Sequence, residues 1–292
     1  MDKVDQALRL GIRAQPVALY NADCIAGMAS NIPDNSIDMI FTDPPYGIKG
    51  ETLDVMYNRD DSLVIKGYVD VSLENYADWS LSWIKQCERV LRPGGSMYIV
   101  SGYTNLHHIL NALHSTSLNE VNHLIAHYSF GVYTKKKWVS SHYHVLFWEK
   151  PETKVLKRTF NTHCLFSDTQ QSYLDRLSVQ KLPRHYKSGE IRNSNQLSVE
   201  FIDKYIQYSS SINDVILDPF GGSYSTGFSA IGLGRRFIGF ELNPFAHDHF
   251  GTKLMQECRS AKEKEDDIAH SGGQRSDYHG WNDGGIGDLV LP

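Results

Sequence analysis

Two kinds of apolar pattern alternate along this chain, and that alternation leaves few folds open. Short runs rich in aliphatic and aromatic side chains, at 17–20, 36–42, 96–100, 142–148, 215–217 and 237–241, are separated by stretches whose apolar residues recur three or four apart, at 24–30, 73–91, 105–113, 201–208, 225–233 and 244–258. The first kind reads as strands and the second as helices, and a chain that alternates them builds an α/β domain around a largely parallel sheet. The plainest helix is 73–91, where Tyr76, Trp79, Trp83, Ile84, Cys87, Val90 and Leu91 share a face, Ser72 is placed to cap the start and Gly94-Gly95 to follow the end. The strand 36–42 runs into Asp43-Pro44-Pro45-Tyr46, where two prolines stop it.

A chain of 292 residues with 41% hydrophobic and 22% charged side chains has room for one large or two modest soluble domains. No apolar run approaches the roughly 18 residues of a membrane span. Asp2, Lys3, Asp5, Arg9 and Arg13 argue against a signal peptide, so a cytoplasmic protein without a membrane partner is expected. Cys24, Cys87, Cys164 and Cys258 form no Cys-x-x-Cys pair, which indicates neither a disulfide framework nor a zinc ribbon. His142 with His144, and His247 with His249, lack the cysteine or acid cluster of a metal site, and no metal is expected.

Net charge is −5, which by itself speaks weakly against a polyanionic partner. Its distribution says otherwise: from Thr134 to Arg192 there are 12 Lys and Arg against five acids, a net +7, and the remainder of the chain is −12. A basic stretch is either a solvated face or a phosphate-binding surface. Three segments break the alternation. Gly47–Val71 is long and polar and reads as a functional loop or lid; Lys150–Ser194 has weak periodicity and most of the positive charge and reads as an insertion; the glycine-rich tail from Ser271 is expected to be disordered or to dock on a partner.

Ligands of open α/β sheets collect at the carboxyl ends of the strands, and two constellations stand there. The first is Asp218-Pro219-Phe220-Gly221-Gly222-Ser223 with Ser225-Thr226, followed one strand later by Glu241-Leu242-Asn243. A strand, a glycine turn and a helix start bring backbone amides to a ligand, and an acid ending the next strand suits a ribose diol. The dinucleotide pattern G-x-G-x-x-G is absent, which disfavours nicotinamide or flavin. The second is Asp43 to Tyr46, where the Asp43 carboxylate and Pro44 carbonyl offer two acceptors to an amino group and Tyr46 adds a flat face. A bare Asp-Pro-Pro is equally an ordinary Asx-capped turn.

Taken in order and spacing, these motifs resemble the β-class amino methyltransferases of DNA, in which a catalytic DPPY precedes a cofactor motif DPFxGSGTT. The resemblance covers roughly residues 17–250 and includes the turn Leu91-Arg92-Pro93-Gly94-Gly95 and the strand 237–243. It implies a Rossmann-like fold, a seven-stranded, mostly parallel sheet with helices on both faces, S-adenosylmethionine as methyl donor and an inserted target-recognition region. On this chain that gives a catalytic half at 1–149, recognition at 150–194, the cofactor half of the same domain at 195–258 and an acidic tail at 259–292.

By the same resemblance Asp43 and Pro44 hold the target amine, Pro45 belongs to the same catalytic motif, and Tyr46 stacks on the flipped base. Asp218, Phe220, Gly221, Gly222, Ser223, Ser225 and Thr226 line the methionine end, Glu241 with Asn243 beside it binds the ribose, and Asp23 lies near the adenine. Asp23 is equally placed to be a helix N-cap. Phosphate contacts fall to Lys135, Lys136, Lys137, Lys154, Lys157, Arg158, Arg184 and Lys187. Two departures stand out: Tyr224 replaces the motif's second glycine, and Asn195-Gln196-Leu197-Ser198 keeps only the glutamine of an upstream H-P-x-Q-K-P, which leaves the contact to the cofactor's carboxylate unassigned. His144 replaces the glutamate of a His-Glu pair and reads as a core or edge histidine.

The implied reaction is direct methyl transfer to an exocyclic amine of a base flipped out of double-stranded DNA, without a covalent enzyme intermediate. Adenine is the preferred base, because an aspartate-led DPPY resembles the adenine-modifying members; the cytosine amine is the alternative, and a silent DNA-binding scaffold is a third reading prompted by Tyr224. A homodimer, a partner restriction endonuclease and association with the nucleoid are further expectations from the resemblance.

Overall fold

The strand and helix patterns resolve into β1 (Val17–Tyr20), α1 (Cys24–Asn31), β2 (Ile37–Thr42), α2 (Tyr76–Val90), β3 (Leu91–Ser101), α3 (Leu106–His114), β4 (Asn119–His127), β5 (His142–Glu149), α4 (Thr169–Asp175), β6 (Val179–Lys181), α5 (Val199–Ser209), β7 (Val215–Asp218), α6 (Ser225–Gly232), β8 (Arg236–Phe240) and α7 (Pro244–His270). The computed structural model describes residues 16–47, 71–129, 135–162, 169–182 and 196–270. Most of the polar stretch after Gly47, the tail from Ser271, and Arg184 and Lys187 lie outside the described residues.

All described strands join one sheet in the order β1-β8-β7-β2-β3-β5-β4-β6. Every pairing is parallel except the two that flank β5. The count is eight, one more than the resemblance implies, because Val179–Lys181 from within the basic stretch pairs with Ile125–His127. No apolar run announces this strand, since Val179 and Lys181 are exposed and it is held by backbone pairing and by hydrogen bonds of the polar Gln180 side chain.

The sheet is buried on both faces. Met28, Trp83, Ile84 and Ile109 from α1, α2 and α3 cover one side. Phe201, Ile206, Ala230, Phe250 and Leu254 from α5, α6 and α7 cover the other. β2 is buried at all of its positions, as a central strand covered on both faces requires. Its charged member, Asp38, is 3% exposed, pairs with Arg92 at 2.6 Å and accepts the Val215 amide at 2.9 Å, tying β3 and β7 to β2 near the amino end.

Some boundaries differ from the pattern. α2 starts at Tyr76, because Ser72 to Asn75 close a turn of their own (Asn75 N–H to Ser72 O, 3.1 Å). β3 begins directly at Leu91, yet Ile37 pairs with Leu91 and Met39 already with Ser96, so 92–95 bulge out as the expected turn inside the strand. β4 escapes the apolar pattern: Asn119, Glu120, Asn122 and His123 are exposed near the sheet's edge. α7 continues past Cys258 to His270. No helix among the described residues is long and apolar enough to cross a membrane.

Candidate active site

β1, β8, β7 and β2 run parallel and adjacent, so the residues that follow them meet along one edge of the sheet. Strand order reverses between β7 and β2, the place where open α/β sheets bind ligands. Asp43 follows β2, Asp218 ends β7, Glu241 follows β8, and Asp23 lies just beyond β1.

Asp43 is held by its own turn. The Tyr46 hydroxyl donates to Asp43 Oδ1 at 2.6 Å. Burial pushes the Asp43 carboxyl up to about 7, against the stabilising Tyr46 hydrogen bond and with some help from the Asp218 charge. The turn's carbonyls are taken by side chains from the neighbouring helices: Tyr76 Oη donates to Pro45 O at 2.8 Å, and Asn105 Nδ2 donates to Tyr46 O at 2.6 Å. Gly47 closes the turn at φ +66°, where an added Cβ would stand 2.7 Å from the Tyr76 ring. The Tyr46 ring lies 6.2 Å from Tyr143. Tyr76, Asn105 and Tyr143 carry no motif; Tyr76 read only as a helix-face residue.

Asp218 is 4% exposed, and its oxygens hold the turn that follows it. Oδ1 accepts from Thr42 Oγ1 (2.7 Å) and the Phe220 amide (3.0 Å), and Oδ2 from Thr226 Oγ1 (2.8 Å). Burial still pushes Asp218 up to about 6, against those bonds. Phe220 packs on Trp79 and Trp83, with ring centres 5.4 and 5.2 Å away. The half-buried Glu241 spreads its oxygens between two amides, Asn243 N on Oε1 and Gly222 N on Oε2, each at 2.7 Å. Burial raises its carboxyl above the usual range. One amide on each oxygen leaves acceptor capacity that suits the two hydroxyls of a ribose, so the residues present fit the expected nucleoside cofactor. Asp23 is the N-cap of α1, accepting the Ala26 amide at 3.0 Å.

Tyr224 explains how the turn accommodates its missing glycine. The residue sits in the left-handed region at φ 56°, ψ 31°, at the N-cap of α6, and is 0% exposed. Its ring lies over Gly221 and Gly239, where an added Cβ would come within 2.3 and 2.8 Å of it, and its hydroxyl is 2.8 Å from His247 Nδ1 on α7. Ser223 Oγ and Ser225 Oγ face each other at 3.2 Å beside it.

The basic residues divide. Lys135, Lys136 and Lys137 are exposed on the connection into β5, on the edge that carries Asp43. Lys154, Lys157 and Arg158 are not brought there. β5 runs antiparallel to β3, so the chain after Glu149 emerges at the opposite edge, with Lys157 against Gly94. Lys157 is paired with Glu152 at 2.9 Å and Arg158 with Glu149 at 3.0 Å. Lys181 does reach the active edge, opposite His127.

His144 sits on β5 opposite Ser101, its Nδ1 2.8 Å from His123 Nε2. Burial and the His123 and His142 rings push it down to about 4. No group of three or more His, Cys, Asp or Glu among the described residues is arranged to hold a metal ion. Among the described residues Cys24, Cys87 and Cys258 take part in no disulfide.

Comparison with known proteins follows the same lines. The DNA methylase family profile matches residues 37–250. Type II methyltransferase M.BamHI of Bacillus amyloliquefaciens is 31% identical over 244 residues, 77% of this chain and 54% of its own length. This chain thus spans about half the length of that relative. DNA adenine methyltransferase YhdJ of Escherichia coli is 30% identical over 258 residues, 80% of this chain and 81% of its own length. In fold the chain is similar to a DNA modification methylase from Thermus thermophilus, TTHA0409, solved in complex with S-adenosyl-L-methionine, with a TM-score of 0.60 at 20% identity, covering 82% of this chain and 95% of that one.

Proposed function

The chain belongs to the DNA methylase family, and from that premise we propose that it transfers a methyl group from S-adenosylmethionine to the exocyclic amine of adenine at specific sites in double-stranded DNA. One observation carries the reading: the half-buried carboxylate of Asp43 stands on the same sheet edge as Asp218 and Glu241, one strand away from a turn shaped for a nucleoside. When bound, the cofactor supplies a methyl group on a positively charged sulfur. Glu241 accepts from the ribose hydroxyls, Phe220, Gly221, Gly222, Ser223 and Ser225 line the methionine end, and Asp218 and Thr226 hold that turn in shape.

Asp43 and the Pro44 carbonyl accept the two amine hydrogens. The ring withdraws the amine's lone pair, and two acceptors favour its return to nitrogen, an electrostatic contribution that is largest where water is excluded. No cysteine nucleophile is needed. Tyr46 gives up its bond to Asp43 as the amine arrives and stacks on the base. Lys135, Lys136, Lys137 and Lys181 contact phosphates on the same edge. Adenine is favoured over cytosine by the aspartate that leads the motif and by the likeness to the adenine methyltransferase YhdJ. Self-association and an endonuclease with the same recognition sequence are the protein partners this reading carries.

The test is incubation of the wild type and Asp43→Ala with labelled S-adenosylmethionine and unmethylated genomic DNA, followed by mass spectrometry of the nucleosides. Methyladenine that requires Asp43 supports the proposal. Methylcytosine moves the target to the other amine, and absence of both methyl transfer and cofactor binding overturns the enzyme reading in favour of a DNA-binding scaffold.

A further inference from the structure

β4 runs parallel to β3, and β5 antiparallel to both, so the connection between β4 and β5 rises from the edge that carries Asp43. It returns through Lys135-Lys136-Lys137-Trp138, all exposed. Trp138 is 96% exposed, the most exposed large apolar side chain among the described residues, whereas Trp83 and Trp148 are buried in the core. Among the described residues this indole beside three lysines is left almost wholly uncovered.

The foot of the connection is fixed against the active site. The Tyr128 amide donates to Ser141 O at 2.8 Å. The Tyr128 ring lies 5.0 Å from Tyr143, Tyr143 lies 6.2 Å from Tyr46, and Tyr46 donates to Asp43. A row of three aromatic rings thus leads from the foot of the connection to the Asp43 carboxylate, and Trp138 lies on that same connection, three residues before Ser141.

We propose that Trp138 inserts into the DNA at the target base and fills the space the base leaves when it turns out, while Lys135–Lys137 bind the flanking phosphates. The inference rests on the reading of this chain as a DNA amino methyltransferase. Turning a base out removes stacking from its neighbours and from its orphaned partner. A planar aromatic side chain restores a stacking surface there without regard to sequence, as apolar wedges do in other DNA-binding proteins. Trp138 is therefore a positioning residue: it makes the flipped state accessible and does not touch the reacting atoms.

The test uses the full chain with the methylated site mapped by sequencing, and two duplexes that carry it, one with the target base paired and one with the target base opposite an abasic position. Trp138→Ala is expected to lose about tenfold or more in kcat/KM on the paired duplex but under about threefold where the base is already unpaired, the difference reflecting the lost stacking. Trp138→Phe, which keeps a ring, is expected to recover most of the paired-duplex activity. Equal losses on both duplexes, or no loss on either, overturn the assignment. If the wild type methylates neither duplex nor genomic DNA, the methyltransferase reading itself fails, a result distinct from either of those.

Discussion

Replacing Tyr224 by glycine restores the residue that the cofactor turn carries in the resembling family, and the structure predicts that the change is harmful. Glycine relieves a left-handed backbone that costs an L-residue roughly 1–2 kcal/mol. It also empties the space of a fully buried aromatic ring, which typically costs about 3–5 kcal/mol. The lost hydroxyl contact to His247 adds about 0.5–1.5 kcal/mol, and the extra freedom of glycine in the unfolded chain about 0.5–1. The net is a destabilisation of about 4 kcal/mol, or roughly 12 °C in Tm for a domain of this size. Urea denaturation of wild type, Tyr224→Phe and Tyr224→Gly measures it. The phenylalanine variant, which keeps the ring over Gly221 and Gly239, is expected to lose only about 1 kcal/mol. Because the ring also braces the turn that bears Gly222 and Ser223, calorimetric titration with S-adenosylmethionine should show weaker binding by Tyr224→Gly than by Tyr224→Phe. A glycine variant as stable as the wild type refutes the argument that Gly221 and Gly239 leave room for this ring.

Other changes follow from the same geometry. Asp43 accepts the amine only when charged, and burial lifts its carboxyl to about 7, so kcat/KM is expected to fall about tenfold per unit as pH drops below that value; a flat profile down to pH 5 would contradict it. The raised carboxyl also favours folding while it is protonated and ceases to as pH rises, so Asp43→Asn should gain stability relative to the wild type between pH 3.8 and about 7, read by denaturation across that range. Arg92→Ala strands the 3%-exposed Asp38 carboxylate inside the sheet and is expected to cost about 3–5 kcal/mol in chemical denaturation, far more than removing an exposed ion pair such as Lys157 with Glu152. Asn105→Ala frees the Tyr46 carbonyl and should lower kcat/KM for DNA by about tenfold while leaving cofactor affinity near that of the wild type, separable by steady-state kinetics and titration.

Why some of this was legible in the sequence and some was not has a physical basis. Strands buried on both faces announce themselves as apolar runs, and the stops after them, two prolines at 44–45 and the glycines at 221–222, announce the edge where ligands bind. β4 and β6 lie toward the far side of the sheet, where strands are held by backbone hydrogen bonds with exposed side chains, and backbone pairing leaves no mark in composition. The same distinction runs through the site. Asp43, Asp218 and Glu241 stood out because their chemistry must sit at a strand end, but Tyr76 and Asn105 act on carbonyls of a distant turn, and any donor of the right reach would serve. Charge counting erred for a third reason: it sums along the chain, whereas direction in the sheet decides which edge a residue reaches. Lys137 and Lys154 lie on either side of one strand, and because β5 crosses the sheet between them, one faces the active edge and the other the opposite one. A positive segment on a strand hairpin therefore has to be divided at the strand before it is assigned to DNA, and that division singles out the short stretch of three lysines that carries Trp138.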